Sequence, residues 1–115
     1  MVELGCGSGH NLAHLTTHGA RCIGIDHAPA KIHRARVLYG YLPRLSFVQA
    51  DAAAHLHRLP PGTVDVCLSI FGAFSFTDPR PLFIAVTTAL RPGGRLLASL
   101  RADDRHDHVT LWTRR

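Results

Sequence analysis

Apolar residues along this chain fall into short runs set apart by polar or glycine-rich breaks, and the runs alternate between two periods. Val2-Glu3-Leu4, Arg21-Cys22-Ile23-Gly24-Ile25, Leu45-Ser46-Phe47-Val48-Gln49, Val64 to Ile70 and Arg95 to Leu100 are short and rich in β-branched or apolar residues, and predict five strands. The fourth run, Val64-Asp65-Val66-Cys67-Leu68-Ser69-Ile70, is nearly continuous in its hydrophobicity, as suits a strand buried on both faces of a parallel sheet. Between the strands the spacing turns helical. Leu12 and Leu15 share one face of a helix over His10 to His18, with His14 and His18 on another face and Gly19 as the stop. Pro29 suits the first position of a second helix, which carries Ile32, Ala35, Leu38 and Tyr39 before Gly40. Ala52 to Arg58 is a short third helix, closed by the break Pro60-Pro61-Gly62. Thr77 or Asp78 caps a fourth, with Pro79 or Pro81 in its first turn. Its core stripe is Leu82, Phe83, Val86, Ala89 and Leu90, and Arg91-Pro92-Gly93-Gly94 is the turn that ends it.

Strands alternating with helices on short connections predict an α/β fold: an open, doubly wound, mostly parallel sheet with helices on both faces and right-handed crossovers. Residues 1–100 form the core. Residues 101–115 are a polar tail or a partial extra strand, in which Val109-Thr110-Leu111-Trp112-Thr113 is the apolar part. There is no internal repeat and no second domain.

Length and composition narrow the function. The 115 residues, 46% hydrophobic and 18% charged, make one ordinary domain. No apolar run reaches the roughly 20 residues of a membrane helix, and the first residues have no secretory pattern, so a cytoplasmic location is expected. The net charge is +5 with a pI near 9.9, and the cations are arginines apart from Lys31. They are scattered singly, with no basic stripe and no interleaved aromatics, which speaks against a nucleic-acid partner. Cys6, Cys22 and Cys67 fit no disulfide framework and no zinc pair, and read as small buried side chains in a reducing compartment. The pairs His55/His57 and His106/His108 point apart on a helix, so no metal is expected.

In an open parallel sheet, ligands bind beyond the carboxyl ends of the strands. The first strand ends in Gly5-Cys6-Gly7-Ser8-Gly9, the second in Asp26, the third in Ala50-Asp51-Ala52 and the fourth in Ser69-Ile70-Phe71. The glycines let the backbone turn sharply and approach a ligand closely, and amides at the following helix start favour a negative group. Asp26 stands about twenty residues beyond the loop, the spacing at which an acid reaches ribose hydroxyls. Asp51 reads first as a helix N-cap, and its carboxylate can also accept from an exocyclic amine.

These residues carry a resemblance. Glu3-Leu4-Gly5-Cys6-Gly7-Ser8-Gly9 is similar to motif I of the class I S-adenosylmethionine-dependent methyltransferases. Gly24-Ile25-Asp26 with the helix after it, Phe47 to Ala52, and Leu90-Arg91-Pro92-Gly93-Gly94-Arg95-Leu96 resemble three further motifs of that family, in its order and spacing. The resemblance implies strand order 3-2-1-4-5 and S-adenosyl-L-methionine as cofactor. It implies that Gly5, Gly7 and Gly9 wrap the methionine part, with Glu3 supporting its amino end. Asp26 then holds the ribose, His27 lies on an adenine face, Asp51 accepts from the adenine amine and the Ala52 amide donates to the ring. The Ser69 carbonyl meets the ammonium, and Ile70 or Phe71 lines the methyl-transfer side. No general base is assigned.

Two departures qualify this. Ala28 stands where the family often has a Ser or Thr cap, and Ser69-Ile70-Phe71-Gly72 differs from the motif of enzymes that methylate amino groups of nucleic acids or glutamine. The family's N-terminal helical segment and its C-terminal antiparallel hairpin are expected to be missing, so the chain reads as truncated. Its acceptor-selecting cap is then absent or supplied by another chain, and the exposed sheet edge favours self-association. The expected activity is methyl transfer to a small-molecule acceptor. The alternatives are a partial domain that binds cofactor weakly or serves as an interaction module, and a dinucleotide-linked dehydrogenase. Against the dehydrogenase, His10 stands where its fingerprint requires glycine.

Overall fold

The computed structural model describes residues 1–70, 79–101 and 107–115. Its elements are β1 (Val2–Leu4), α1 (His10–Thr16), β2 (Cys22–Asp26), α2 (Pro29–Tyr39), β3 (Leu45–Gln49), α3 (Ala52–Arg58), β4 (Val64–Ile70), α4 (Pro79–Ala89), β5 (Leu90–Arg101) and β6 (Asp107–Thr113). They build one sheet in the order β3-β2-β1-β4-β5-β6. The first five strands run parallel, in the order the motifs implied. β6 returns antiparallel along β5, from Arg101 opposite Asp107 to Arg95 opposite Thr113. The edge next to β5 is thus occupied by a strand from residues 101–115.

Alternation along each strand divides the side chains between two cores. Val2 and Leu4 of β1, Ile25 of β2, Cys67 of β4 and Leu96 of β5 face one core, closed by Leu56 of α3 and by Leu82, Ala85, Val86 and Ala89 of α4. Cys22, Phe47 and Leu68 face the other, closed by Leu12 and Ala13 of α1 and Ile32 and Ala35 of α2. The helices therefore lie two on each face, the doubly wound arrangement. Among the described residues, no helix is long and apolar enough to cross a membrane.

Local chemistry explains the boundaries. α1 stops at Thr16, two residues before the expected end, as the chain turns through Gly19 at φ +91°. α2 opens on Pro29 behind Ala28, whose methyl group offers no cap. Asp51 caps α3 by accepting from the Ala54 amide at 3.0 Å. The expected caps Thr77 and Asp78 lie outside the described residues. Arg91-Pro92-Gly93-Gly94, read as a turn, lies within β5 as an irregularity: Leu90 pairs with Val64, but the next partner of β4, Val66, pairs with Arg95. A Cβ on Gly94 would lie 2.8 Å from the Arg91 carbonyl oxygen and 3.1 Å from that of Val64, so the bulge needs glycine there.

The loop after β1 is fixed just as tightly. Gly9 sits at φ +85°, and a Cβ on it would meet the Phe47 ring at 2.6 Å. Gly9→Ala is expected to lower stability by about 1–3 kcal/mol through overpacking and a left-handed backbone. Urea unfolding at an unchanged m-value measures it.

Candidate functional site

The loop leaves β1 and folds back on β2. The amides of Gly5 and Cys6 both donate to the Ile25 carbonyl, at 2.7 and 2.9 Å, and the Gly9 amide donates to the Cys6 carbonyl at 3.1 Å. Gly5, Gly7 and Gly9 all have positive φ, a run that other residues adopt only at a cost. A Cβ on Gly7 would meet nothing within 4 Å, so this glycine is required by conformation and faces open space.

Asp26, at the tip of β2, is the anchor. Its Oδ2 accepts from the Gly7 amide and its Oδ1 from the Ala28 amide, both at 2.9 Å. Its main-chain carbonyl accepts from the Ala50 amide at 3.1 Å, tying in the segment after β3. The carboxylate is 8% exposed and each oxygen has one donor, leaving acceptor capacity on both. Next to it, His27 is 90% exposed, with Nδ1 3.7 Å from Asp26 Oδ1.

Glu3 lies in the middle of β1, opposite Gly24 and Leu68 on the neighbouring strands, and is 1% exposed. Its Oε2 accepts from the Asn11 side-chain amide at 3.1 Å, whereas Oε1 is buried with no hydrogen-bond partner. Burial, opposed by the Asn11 hydrogen bond and assisted by the Asp26 charge, pushes its carboxyl up to about 7. The same environment makes Cys6 unreactive: burial, then the Glu3 and Asp26 charges, push its thiol up to about 12.

The other expected residues take their places at the strand tips. Ser69 and Ile70 end β4, with Ser69 fully buried and its hydroxyl without a partner. Asp51 is exposed and engaged as the α3 cap, and Ala52 opens that helix. Phe71 lies outside the described residues. Gly7 is brought into direct hydrogen bonding with Asp26 and Gly5 with the adjacent Ile25 carbonyl, while Asp51 and His27 are exposed. Asn11 was not singled out from the sequence. The signal for it was an acid embedded in an apolar strand, which needs a donor from the next helix.

Two buried polar atoms without partners and a glycine loop open above Gly7 are the marks of a ligand cradle. Among the described residues, no group of three or more His, Cys, Asp or Glu side chains is placed to hold a metal ion. An open α/β sheet with acidic tips beside a glycine loop defines the class of doubly wound nucleoside-binding domains. The methyltransferase domain family model matches residues 2–98, and the chain belongs to that family. S-adenosyl-L-methionine, the cofactor the motifs implied, is the cofactor of this family.

Solved structures agree in fold. The YcgJ protein of Bacillus subtilis superposes with a TM-score of 0.79 at 22% identity, over 90% of this chain and 45% of that one. A Haloferax volcanii methyltransferase, in complex with the Trm112 methyltransferase activator, gives 0.76 at 30% identity over 86% and 43%. The geranyl diphosphate C-methyltransferase of Streptomyces coelicolor, with S-adenosyl-L-homocysteine bound, gives 0.78 at 18% identity over 86% and 37%. The chain thus spans less than half the length of these structures. No curated protein matches it.

Two outcomes are expected. Asp51→Ala costs about 1 kcal/mol of stability by denaturant unfolding, and Asp51→Asn restores most of it. Glu3 gives a pH signature. Its folded carboxyl holds its proton above the ordinary value of 4.5, so the favourable contribution is complete below that value and is lost as pH rises toward about 7. Wild-type stability relative to Glu3→Gln should therefore fall across this window, by on the order of 3 kcal/mol. Parallel melts of the two proteins from acid to neutral pH give that difference.

Proposed function

We propose that this domain binds S-adenosyl-L-methionine at the β1, β2 and β4 tips and transfers its methyl group to a small-molecule acceptor. The observation that carries the proposal is Asp26, a nearly buried carboxylate that locks the glycine loop and keeps acceptor capacity on both oxygens. Gly5, Gly7 and Gly9 wrap the methionine part, and Asp26 accepts from the ribose hydroxyls. His27 lies against an adenine face, Asp51 accepts from the adenine amine and the Ala52 amide donates to the ring. The Ser69 carbonyl and the Glu3 carboxyl serve the ammonium end, and Ile70 lines the transfer side.

The bound cofactor supplies a methyl group already activated by its positive sulfur. The chain's own work is to position it and exclude water. We assign no general base, and one would help only if the acceptor were a poorly ionised hydroxyl or amine. Acceptor choice we assign to elements beyond these residues, in keeping with a chain that spans less than half the length of the structures it matches. Three free, buried cysteines agree with a reducing, cytoplasmic setting.

Calorimetry with S-adenosylhomocysteine tests the reading. Wild type should bind it and not NAD, and Asp26→Ala should weaken binding by at least about tenfold, the loss of a charge-assisted contact. An unaltered Kd in that variant removes Asp26 from the site.

A further inference from the structure

Among the described residues, no arginine or lysine pairs with the acids of the crevice, and the exposed His27 ring lies 3.7 Å from Asp26 alone. Glu3 is buried with one oxygen unpartnered, and its single hydrogen bond comes from the neutral Asn11 amide. The groups facing it are the Asp26 carboxylate at the tip of β2 and the Cys6 thiol in the loop, with Cys22 further back on β2. Gly24 and Leu68 flank it in the sheet and bring no charge. The Met1 ammonium, just ahead of β1, is bonded to the Arg21 carbonyl. The described ion pairs, His27 with Asp26 and Arg91 with Asp65, leave Glu3 out.

Two neighbouring carboxyls without a cation cannot both ionise cheaply. Asp26 has two backbone amides to stabilise its charge and Glu3 has none, so the proton belongs on Glu3. A ligand cation placed against Oε1 reverses that balance.

We propose that seating the ammonium of an amino-acid-bearing nucleoside in this crevice drives a proton off Glu3. The Glu3 O–H bond breaks, the proton leaves to solvent and the carboxylate pairs with the arriving ammonium. One positive charge leaves as one enters, so the carboxylate–ammonium pair carries the same net charge as the neutral Glu3 carboxyl it replaces. The inference rests on the cofactor reading above and adds to it a proton count and a selectivity. Ligands with the ammonium are favoured increasingly as pH rises toward neutrality, and nucleosides without it gain nothing.

The test is calorimetry in buffers of different ionisation enthalpy. S-adenosylhomocysteine should release close to one proton near pH 6 and progressively less above about pH 8, with Kd tightening about tenfold per pH unit on the acid side. 5′-Methylthioadenosine, which lacks the amino acid, should release none. Glu3→Gln should bind S-adenosylhomocysteine without this release, and it also subtracts any contribution from the ligand's own amine.

Glu3 is the only glutamate in the chain, so glutamate-selective carbon-13 labelling gives one side-chain carboxyl resonance in the unmodified protein. Its titration midpoint should lie near neutrality in the free protein and fall by at least about two pH units on saturation with S-adenosylhomocysteine. Binding without proton release, or a midpoint that ligand does not move, overturns the proton exchange and leaves the cofactor site standing. A wild-type protein that binds no S-adenosylhomocysteine at any pH overturns both.

Discussion

One carboxylate holds the crevice together. Asp26 takes the Gly7 amide on one oxygen and the Ala28 amide on the other, joining the loop after β1 to the entry of α2. Hydrogen bonds to an ionised acceptor are the stronger kind, and here they are nearly shielded from water. The left-handed conformations of Gly5, Gly7 and Gly9 are held by this anchor together with the two amides that share the Ile25 carbonyl. The loop is thus shaped before any ligand arrives, which reduces the ordering cost of binding. Asp26 also substitutes in part for the missing cap of α2: Ala28 has no side chain to offer, and the acid two residues earlier secures its amide instead.

The charge distribution is uneven in a way that composition conceals. The chain is strongly basic overall, yet the crevice gathers Glu3 and Asp26 and no described arginine pairs with either. The arginines work elsewhere. Arg36 donates to the Phe47 carbonyl at 2.9 Å, Arg114 to the Leu90 carbonyl, and Arg91 pairs with Asp65 beside the bulge. They tie main chain together, and an isolated surface pair such as Arg91 with Asp65 contributes little on its own. The basic balance therefore does not extend to the crevice, where one acid lies within β1 and the other at the tip of the neighbouring β2.

The elements legible in the sequence were those set by local pattern. β3, α3 and β4 appear with the expected bounds because apolar period, the Asp51 cap and the Pro-Pro-Gly break all mark them locally. The glycine loop and Asp26 were legible as neighbours because loop and acid keep a fixed spacing, and the Gly7 amide meets the Asp26 carboxylate. What escaped depended on contacts between distant residues. Pro92-Gly93-Gly94 carries the chemistry of a turn, and only the pairing of its flanks Leu90 and Arg95 with β4 and the hydrogen bonds to Arg114, just past β6, draw it into a strand. Asn11 has no periodic signature on a seven-residue helix, and its importance appears only once Glu3 is seen to be buried. The strand β6 needed β5 as a template, since Asp107 and His108 at its start are not apolar.

The contact between Gly9 and Phe47 sets a timetable for biosynthesis. The residue that closes the first loop rests on a ring 38 positions later, in the edge strand β3. A nascent chain that has released the glycine loop but not β3 has no wall for Gly9 to lean on, since Ile25 and Asp26 anchor only the start and middle of the loop. The crevice is therefore completed only once the third strand has left the ribosome and docked.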